Sequence, residues 1–371
     1  MLPSASTLPD TKDGLYVYRM ARKKITKKRR IRRRNISQRC LKASDFRLVT
    51  EFYINGYGAV PVIAGDPRIL PSEAQLFVAR KAKLMRPRAI CICDGSQEER
   101  TNFIENMQRK GFMKQLEALR ECYLVMTDPR DAIAQNYQQN IVTPKRERLE
   151  TRTHDVIPRF AKWMSPVTFN LELVDRFSAA MFGRVMYVIP FSLGPIGSKN
   201  SLNCIQITDS EYVAIMTSIC ARVSSSVWDS MENGNFIGCV HSVGVPRPVN
   251  LNNATTNWPF APYAKFMALD VEKRVIWSVG CGCEDAILCK TEAALRMASL
   301  VGKRERWLAE RMTVIAITAP DKSEHFIGLA GPDGSGKTTL AFMQPTLPGW
   351  QVLSLIISDF WRTIPMSWYH S

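Results

Sequence analysis

The chain has 371 residues, 46% of them hydrophobic and 9% aromatic, enough material for one large domain or two and too much for a wholly disordered or fibrous protein. Its formal net charge is +16, but residues 1–47 hold fifteen Lys/Arg against three acids, a net of +12, so the basicity belongs to one end. No run reaches the roughly 18 consecutive apolar residues of a membrane span, and no apolar segment with a small-residue cleavage site opens the chain; a cytoplasmic protein is expected, with mitochondrial or nuclear targeting through the basic end as alternatives.

From Arg22 to Arg34 ten of thirteen residues are basic. A helix of that composition would repel itself, so residues 1–59 are expected as a disordered basic tail. Such a block suits a polyanion or nucleic acid, or acts as a nonspecific tail; no aromatic residues interleave with it to stack on bases.

Beyond about Val60 the pattern is that of an α/β fold. Ser72-Glu-Ala-Gln75 predicts a capping box opening a helix whose Ala74, Phe77, Val78 and Ala82 share a face. Ala89 to Cys93 predicts a strand closed by Asp94-Gly95, Tyr123 to Met126 a second, and Val185 to Ile189 a third, stopped by Pro190. Tyr212, Val213, Ile215, Met216, Ile219, Cys220 and Val223 recur at helical spacing and predict a core-facing stripe. The ten Cys sit in apolar contexts and read as reduced thiols. Cys281, Cys283 and Cys289 have no C-x-x-C knuckle and no nearby His, so they read as ordinary thiols and not as a zinc site.

Gly331-Pro-Asp-Gly-Ser-Gly336-Lys337-Thr338 is a full match to G-x-x-x-x-G-K-[ST]. Glycines at this spacing let backbone N–H groups of Gly331, Gly334, Gly336 and their neighbours curl round phosphate oxygens. Lys337 supplies a point charge, and Thr338, followed by Thr339, offers a hydroxyl to Mg²⁺. Phe326 to Ala330 predicts the strand before the loop and Thr338 to Met343 the helix after it. Val352 to Ile357 predicts a buried strand ending at Asp359, either a carboxylate near Mg²⁺ or a plain cap.

Several longer strings carry a family resemblance: Ile92-Cys-Asp-Gly-Ser96, Thr127-Asp-Pro-Arg-Asp131, the run from Gly183 to Pro195, Cys239-Val-His-Ser-Val-Gly244, Asn257-Trp-Pro259, Ala294 to Ser299, Trp307-Leu-Ala-Glu310 and Pro345 to Trp350. Over about Val62 to Trp350 the chain resembles GTP-dependent phosphoenolpyruvate carboxykinase. The resemblance implies a carboxykinase-like N-terminal α/β domain over residues 60–305 and the start of a P-loop nucleotide-binding domain over 306–371, in a monomer. It implies conversion of oxaloacetate and GTP to phosphoenolpyruvate, GDP and CO₂ in gluconeogenesis, with Mg²⁺ on the nucleotide and Mn²⁺ at the enolate.

The same resemblance assigns positions. Ser335 stands at the family's P-loop Cys and Lys290 at its substrate and phosphate Lys; Cys283 stands at a substrate Tyr, and Asp333 is a weaker substrate candidate. Thr291 and Arg311 stand where the family has its Mn²⁺-binding Lys and His, and Ala134 where it has a substrate Arg. Glu284 and Asp285 replace a Gly-Gly pair, placing like charge near an anionic substrate. An Arg cannot give up its proton to coordinate a metal, so the expectation is a catalytically impaired or dead homologue that keeps a phosphate-binding loop. The resemblance also implies a further C-terminal region with the guanine pocket, making the sequence a C-terminally truncated member. An unstable fragment, or a polyanion binder through the basic tail, is the alternative.

Overall fold

The structure, a computed structural model, describes residues 16–24, 46–119, 121–128, 131, 139–145, 161–198, 201–231, 234–244, 258–261, 265–282, 291–307, 312–331 and 334–358. The chain opens with β1 (Tyr16–Lys24), β2 (Phe46–Ile54), β3 (Gly58–Ala64), α1 (Ser72–Met85), β4 (Ala89–Ile92) and α2 (Gln97–Arg109). Short strands β5 (Met113–Gln115), β6 (Tyr123–Val125), β7 (Gln139–Val142) and β8 (Ala161–Met164) follow, then α3 (Pro166–Phe177). The centre holds β9 (Val185–Leu193), β10 (Leu202–Thr208), α4 (Glu211–Cys220), β11 (Arg222–Val223), α5 (Ser226–Ser230) and β12 (Ile237–Ser242). After β13 (Phe266–Asp270), β14 (Val275–Val279) and α6 (Thr291–Glu305), the last part comprises β15 (Met312–Thr318), β16 (Glu324–Ala330), α7 (Lys337–Ala341) and β17 (Gln351–Ser358).

A 12-stranded mixed sheet runs β1-β2-β3-β4-β9-β10-β12-β14-β13-β7-β8, with β11 added beside β9. Its middle is buried on both faces, and β9 shows why the sequence alternates there without any polar side. Met186 and Val188 face a cluster with Ala74 and Val78 of α1 and Phe177 of α3. Val185, Tyr187 and Ile189 point the other way, against Phe103 of α2 and Ala214 and Ile215 of α4. Period-two alternation thus puts apolar side chains on both faces, each covered by helices, the requirement for a strand in the middle of an α/β sheet. Further along, Met267, Leu269 and Ile276 pack on Met297, Ala298 and Val301 of α6.

Directions within this sheet decide where loops gather. β10, β12 and β14 are mutually parallel, so the segments after Thr208, Ser242 and Val279 emerge at one edge. β9 is antiparallel to β10 and β4 is parallel to β9; the segment after Ile92 therefore emerges at the opposite edge.

Several sequence expectations change. The sheet reaches into the segment expected as tail: β1 pairs with β2 from Tyr16↔Ile54 to Lys24↔Phe46, and Phe52 and Ile54 are fully buried in the core. Alternation of Tyr16, Tyr18 and Met20 with smaller or charged residues supplies the strand pattern that the charge count hid; residues 25–45, the rest of the basic run among them, lie outside the described residues. Helix α1 has no Ser72 cap. Pro71 takes the cap position with no side-chain hydrogen bond, and Gln75 Nε2 donates instead to Leu70 O at 2.8 Å. Pro190 does not stop β9, because it falls between the last β4 rung at Val188 and the β11 rung at Phe191, where that side of β9 has no ladder partner among the described residues. Helix α4 ends at Cys220, leaving Ile219 and Cys220 exposed and Val223 in β11.

The last part is a separate three-stranded sheet, β16-β15-β17, antiparallel throughout. β15, which lacks a turn signal before it, was not foreseen. β17 is where the sequence places a strand, but Leu353 is 62% exposed and not buried. Among the described residues α7 is the helix packed on this sheet, and Phe326, Phe342 and Leu347 are exposed as well.

Phe177 is fully buried and meets Trp277 edge to face at 5.0 Å, whereas Leu171 on the same helix is 69% exposed. Phe177→Ala is expected to cost about 3–5 kcal/mol in urea unfolding, and Leu171→Ala less than about 0.5 kcal/mol; equal effects would contradict the placement of α3.

Candidate phosphate-binding loop and substrate-side clamp

The strand–loop–helix expected around the glycine-rich sequence is present. β16 ends at Ala330 and α7 begins at Lys337, one residue before the expected start, ending at Ala341. Two positions in the turn require glycine: Gly334 has φ 78° and Gly336 has φ 84°, a region that L side chains enter only at a cost. At Gly331 a Cβ would sit 2.7 Å from Ser335 Oγ, so a side chain there would make Ser335 rotate away. Lys337 turns back over the loop and donates from Nζ to Gly331 O at 2.7 Å, with Ser335 Oγ at 3.5 Å. Its charge is held at the mouth of the turn by a backbone carbonyl, a contact an anionic oxygen can replace with a stronger charge-assisted bond. Ser335, Thr338 and Thr339 are exposed, leaving both threonine hydroxyls accessible to a nucleotide or its cation.

Of the remaining expected site residues, Lys290, Cys283, Glu284, Asp285, Asp333, Arg311, Ala134 and Asp359 lie outside the described residues. Thr291 is the first residue of α6, and its side chain is likewise outside the description.

At the edge where β10, β12 and β14 end, three long-range contacts fix the segment Gly280–Gly282. Gly280 N donates to Ser242 O at 3.0 Å. Cys281 O lies 2.7 Å from His241 Nε2. Gly282 N donates to Asp131 Oδ2 at 2.8 Å, and Trp258 Nε1 donates to the same oxygen at 2.6 Å. Space is tight there: a Cβ on Gly282 would meet Pro259 O at 2.5 Å and Trp258 Nε1 at 2.7 Å.

The partners define the state of His241. A carbonyl only accepts, so Nε2 carries the proton, and Nδ1 accepts from Thr208 Oγ1 at 2.8 Å. The ring is fully buried, and burial pulls its pKa below the ordinary 6.5, against the opposing pull of Asp209. Asp209 is itself tied down, accepting from Arg184 Nε at 2.8 Å, Ser242 Oγ at 2.9 Å and Val243 N at 3.0 Å.

A cavity of about 340 Å³ opens beside this network, between Arg88, Lys110, Tyr187, Glu211, Tyr212 and Trp258. Two of its cations are already paired, Lys110 with Glu211 at 2.6 Å and Arg184 with Asp209 at 2.8 Å. Burial, with Glu211 beside it, raises the Tyr187 hydroxyl well above the ordinary tyrosine value, so Tyr187 remains a neutral donor to Glu211.

Sequence reasoning assigned no role to Asp131, His241 or Trp258, although each falls in a string that carried the resemblance. The signal was that those strings lie in or run into loops, where packing alone does not dictate residue identity. Among the described residues seven cysteines are free, in accord with reduced thiols. Cys281 is buried; Cys283 and Cys289 are outside the description. No helix among the described residues is long and apolar enough to cross a membrane.

A strand–loop–helix with this lysine and glycine geometry, joined in one chain to a mixed α/β sheet, defines a P-loop α/β protein. Comparison with known families is more specific. Residues 76–303 match the phosphoenolpyruvate carboxykinase N-terminal domain and residues 307–360 the phosphoenolpyruvate carboxykinase C-terminal P-loop domain. Similar proteins include phosphoenolpyruvate carboxykinase [GTP] of Haemonchus contortus, 43% identical over 297 residues, which are 80% of this chain and 48% of the relative. That of Ascaris suum is 41% identical over 315 residues, 84% of this chain and 49% of the relative; the cytosolic [GTP] enzyme of Bos taurus is 38% identical over 292 residues, 78% and 47% respectively. The chain belongs to the GTP-dependent phosphoenolpyruvate carboxykinase family. It spans about half the length of the relatives it matches.

The low His241 pKa gives a signed prediction. An unfolded chain takes up a proton near the ordinary 6.5 while folded His241 resists it, so the unfolded state binds more protons there and stability falls as pH drops below about 6.5. Urea midpoints measured from pH 7.5 to 5 should fall for the parent chain and fall less steeply for His241→Gln; identical slopes would contradict a buried neutral imidazole.

Proposed function

We propose that this chain holds the phosphates of GTP·Mg²⁺ in the loop formed by Gly331, Gly334, Ser335, Gly336, Lys337, Thr338 and Thr339, and that its conversion of oxaloacetate to phosphoenolpyruvate is impaired. The observation that carries the first half is the loop geometry, two left-handed glycines and the Lys337 ammonium folded back over the turn. Gly334 and Gly336 allow the backbone to approach an oxyanion closely, and Thr338 is the hydroxyl best placed in sequence to ligate Mg²⁺. When bound, Mg²⁺ neutralises charge on the β- and γ-phosphates. Family membership and the relatives' names, all of which specify GTP, support guanine over adenine.

The second half rests on donor chemistry. By the resemblance, the family's Mn²⁺ ligands fall at Thr291 and Arg311. A guanidinium stays protonated and cannot ligate, and a threonine hydroxyl is a weak substitute for a neutral amine. The residues present therefore do not fit Mn²⁺, and no catalytic step is assigned to it. Replacement of a substrate Arg by Ala134 weakens the grip on a dicarboxylate in the same direction. In this reading the substrate loop remains positioned by Asp131, Trp258 and His241 while the groups that would stabilise an enolate are absent.

Titration with a fluorescent GTP analogue and Mg²⁺ should show saturable binding that Lys337→Ala weakens by about 10- to 100-fold. Absence of saturable binding in a chain that unfolds cooperatively would overturn the nucleotide assignment. In a coupled assay with Mn²⁺, oxaloacetate and GTP, phosphoenolpyruvate formation is expected to stay at background, and turnover abolished by Lys337→Ala would overturn the impairment.

A further inference from the structure

The opposite edge of the large sheet, where β4 ends, carries a cluster for which neither the phosphate loop nor the substrate-side clamp has any use. Cys91 and Cys93 are two apart on one extended segment, so their side chains fall on the same face, toward α2 and α4. Glu99, in the first turn of α2, comes back over them, and one ligand atom from each of the three lies within 4.8 Å of the others. Two thiolates on one zinc stand about 3.8 Å apart, from metal–sulfur bonds of about 2.3 Å. Contraction by about 1 Å, within reach of rotamer adjustment, would suffice.

We propose that Cys91, Cys93 and Glu99 form a site for a thiophilic divalent cation of the zinc class. Two sulfurs and one carboxylate select Zn²⁺, Co²⁺ or Cd²⁺ over the hard, oxygen-seeking Mg²⁺, Mn²⁺ and Ca²⁺, so the site is separate in chemistry as well as place from the nucleotide's metal. The fourth position opens on a cavity of about 90 Å³ lined by Cys93, Gly95, Ser96, Glu99, Arg100 and Phe103, room for a water or a small anionic ligand. This gives three protein ligands and one exchangeable position.

The local frame is built to hold the three side chains still. Gly95 has φ 76°, and a Cβ there would meet Val223 O at 2.3 Å; the turn is thus pressed against β11. Ser96 caps α2 by accepting from Glu99 N at 3.1 Å, and Gly95 N returns a bond to Glu99 Oε2 at 3.1 Å. The Cys93 thiol also bonds to the Glu99 carboxylate, the contact that a cation would replace. Asp94 adds negative charge beside Glu99. Arg100 Nε is buried without a hydrogen-bond partner and lines the same cavity, a positive group suited to balance the net −1 of a divalent ion with two thiolates and a carboxylate. Without metal the trio is held by hydrogen bonds, with Glu99 as a carboxylate: bonding to Cys91 and burial push the Cys93 thiol up, and burial raises Glu99. Uptake of the ion releases the two thiol protons to solvent and forms two metal–sulfur bonds and one metal–oxygen bond, with no change of oxidation state.

The test uses the full chain, stripped of metal under reducing conditions and titrated with Co²⁺. The expected result is a thiolate-to-cobalt charge-transfer band that saturates at about one equivalent, is displaced by Zn²⁺, is unaffected by excess Mg²⁺, and is lost in Cys91→Ser/Cys93→Ser. Because that double variant could fail to fold, the parent chain is also loaded with ¹¹³Cd²⁺, whose chemical shift reads the number of sulfur ligands, and Glu99→Gln is expected to weaken loading about tenfold or more. No charge-transfer band at stoichiometric Co²⁺, a band that survives in a folded double variant, or a cadmium shift of a three- or four-sulfur site would each overturn the assignment. Loss of GTP binding in Lys337→Ala leaves this readout untouched.

Discussion

Burial of β9 on both faces is the constraint from which the rest of the large sheet follows. A strand flanked by β4 on one side and β10 on the other, with Met186 and Val188 facing one way and Tyr187 and Ile189 the other, forces a helical layer on each face. The two layers fix α1 and α3 on one side and α2 and α4 on the other. Strand direction then sorts the loops: those after β10, β12 and β14 meet at one edge and that after β4 leaves at the other. Ligand sites of open α/β sheets lie beyond the carboxyl ends of parallel strands, and both chemical clusters of the large sheet obey that rule at opposite edges.

At the edge where β10, β12 and β14 end, position is secured by polar groups that have given up solvent. Asp131 satisfies Gly282 and Trp258 at once, and His241 bridges Thr208 and Cys281. Such buried polar contacts are costly when broken and rigid when complete. They explain how a segment carrying two glycines is held in one conformation.

What could be read from the sequence follows the range of the interactions. The strand, glycine turn and helix around Lys337 were legible because the pattern that announces them spans only seven positions. Ala89 to Cys93 and Phe326 to Ala330 were legible as strands for the same reason, apolar runs bounded by turn residues. Asp131 and Gly282 are 151 positions apart, and no local pattern announces their bond. Pro190 misled because a proline in a strand is harmless only where a neighbouring strand is missing, a fact about pairing and not about the segment. The exposed Ile219 on α4 and Leu353 on β17 show the converse: an apolar residue at the right period says which face could be buried, while the neighbours decide whether it is. The basic run hid β1, since net charge overwhelmed an alternation that is visible once β2 is known to pair with it.

As proposed above, the loop between β16 and α7 is a working phosphate cradle. Amide hydrogen exchange followed by mass spectrometry, with and without GTP·Mg²⁺, tests it at the residues concerned. Slowed exchange is expected in peptides spanning residues 331–341 alone, and its disappearance in Lys337→Ala. Unchanged exchange across those peptides at saturating nucleotide, or equal protection in the variant, would contradict it.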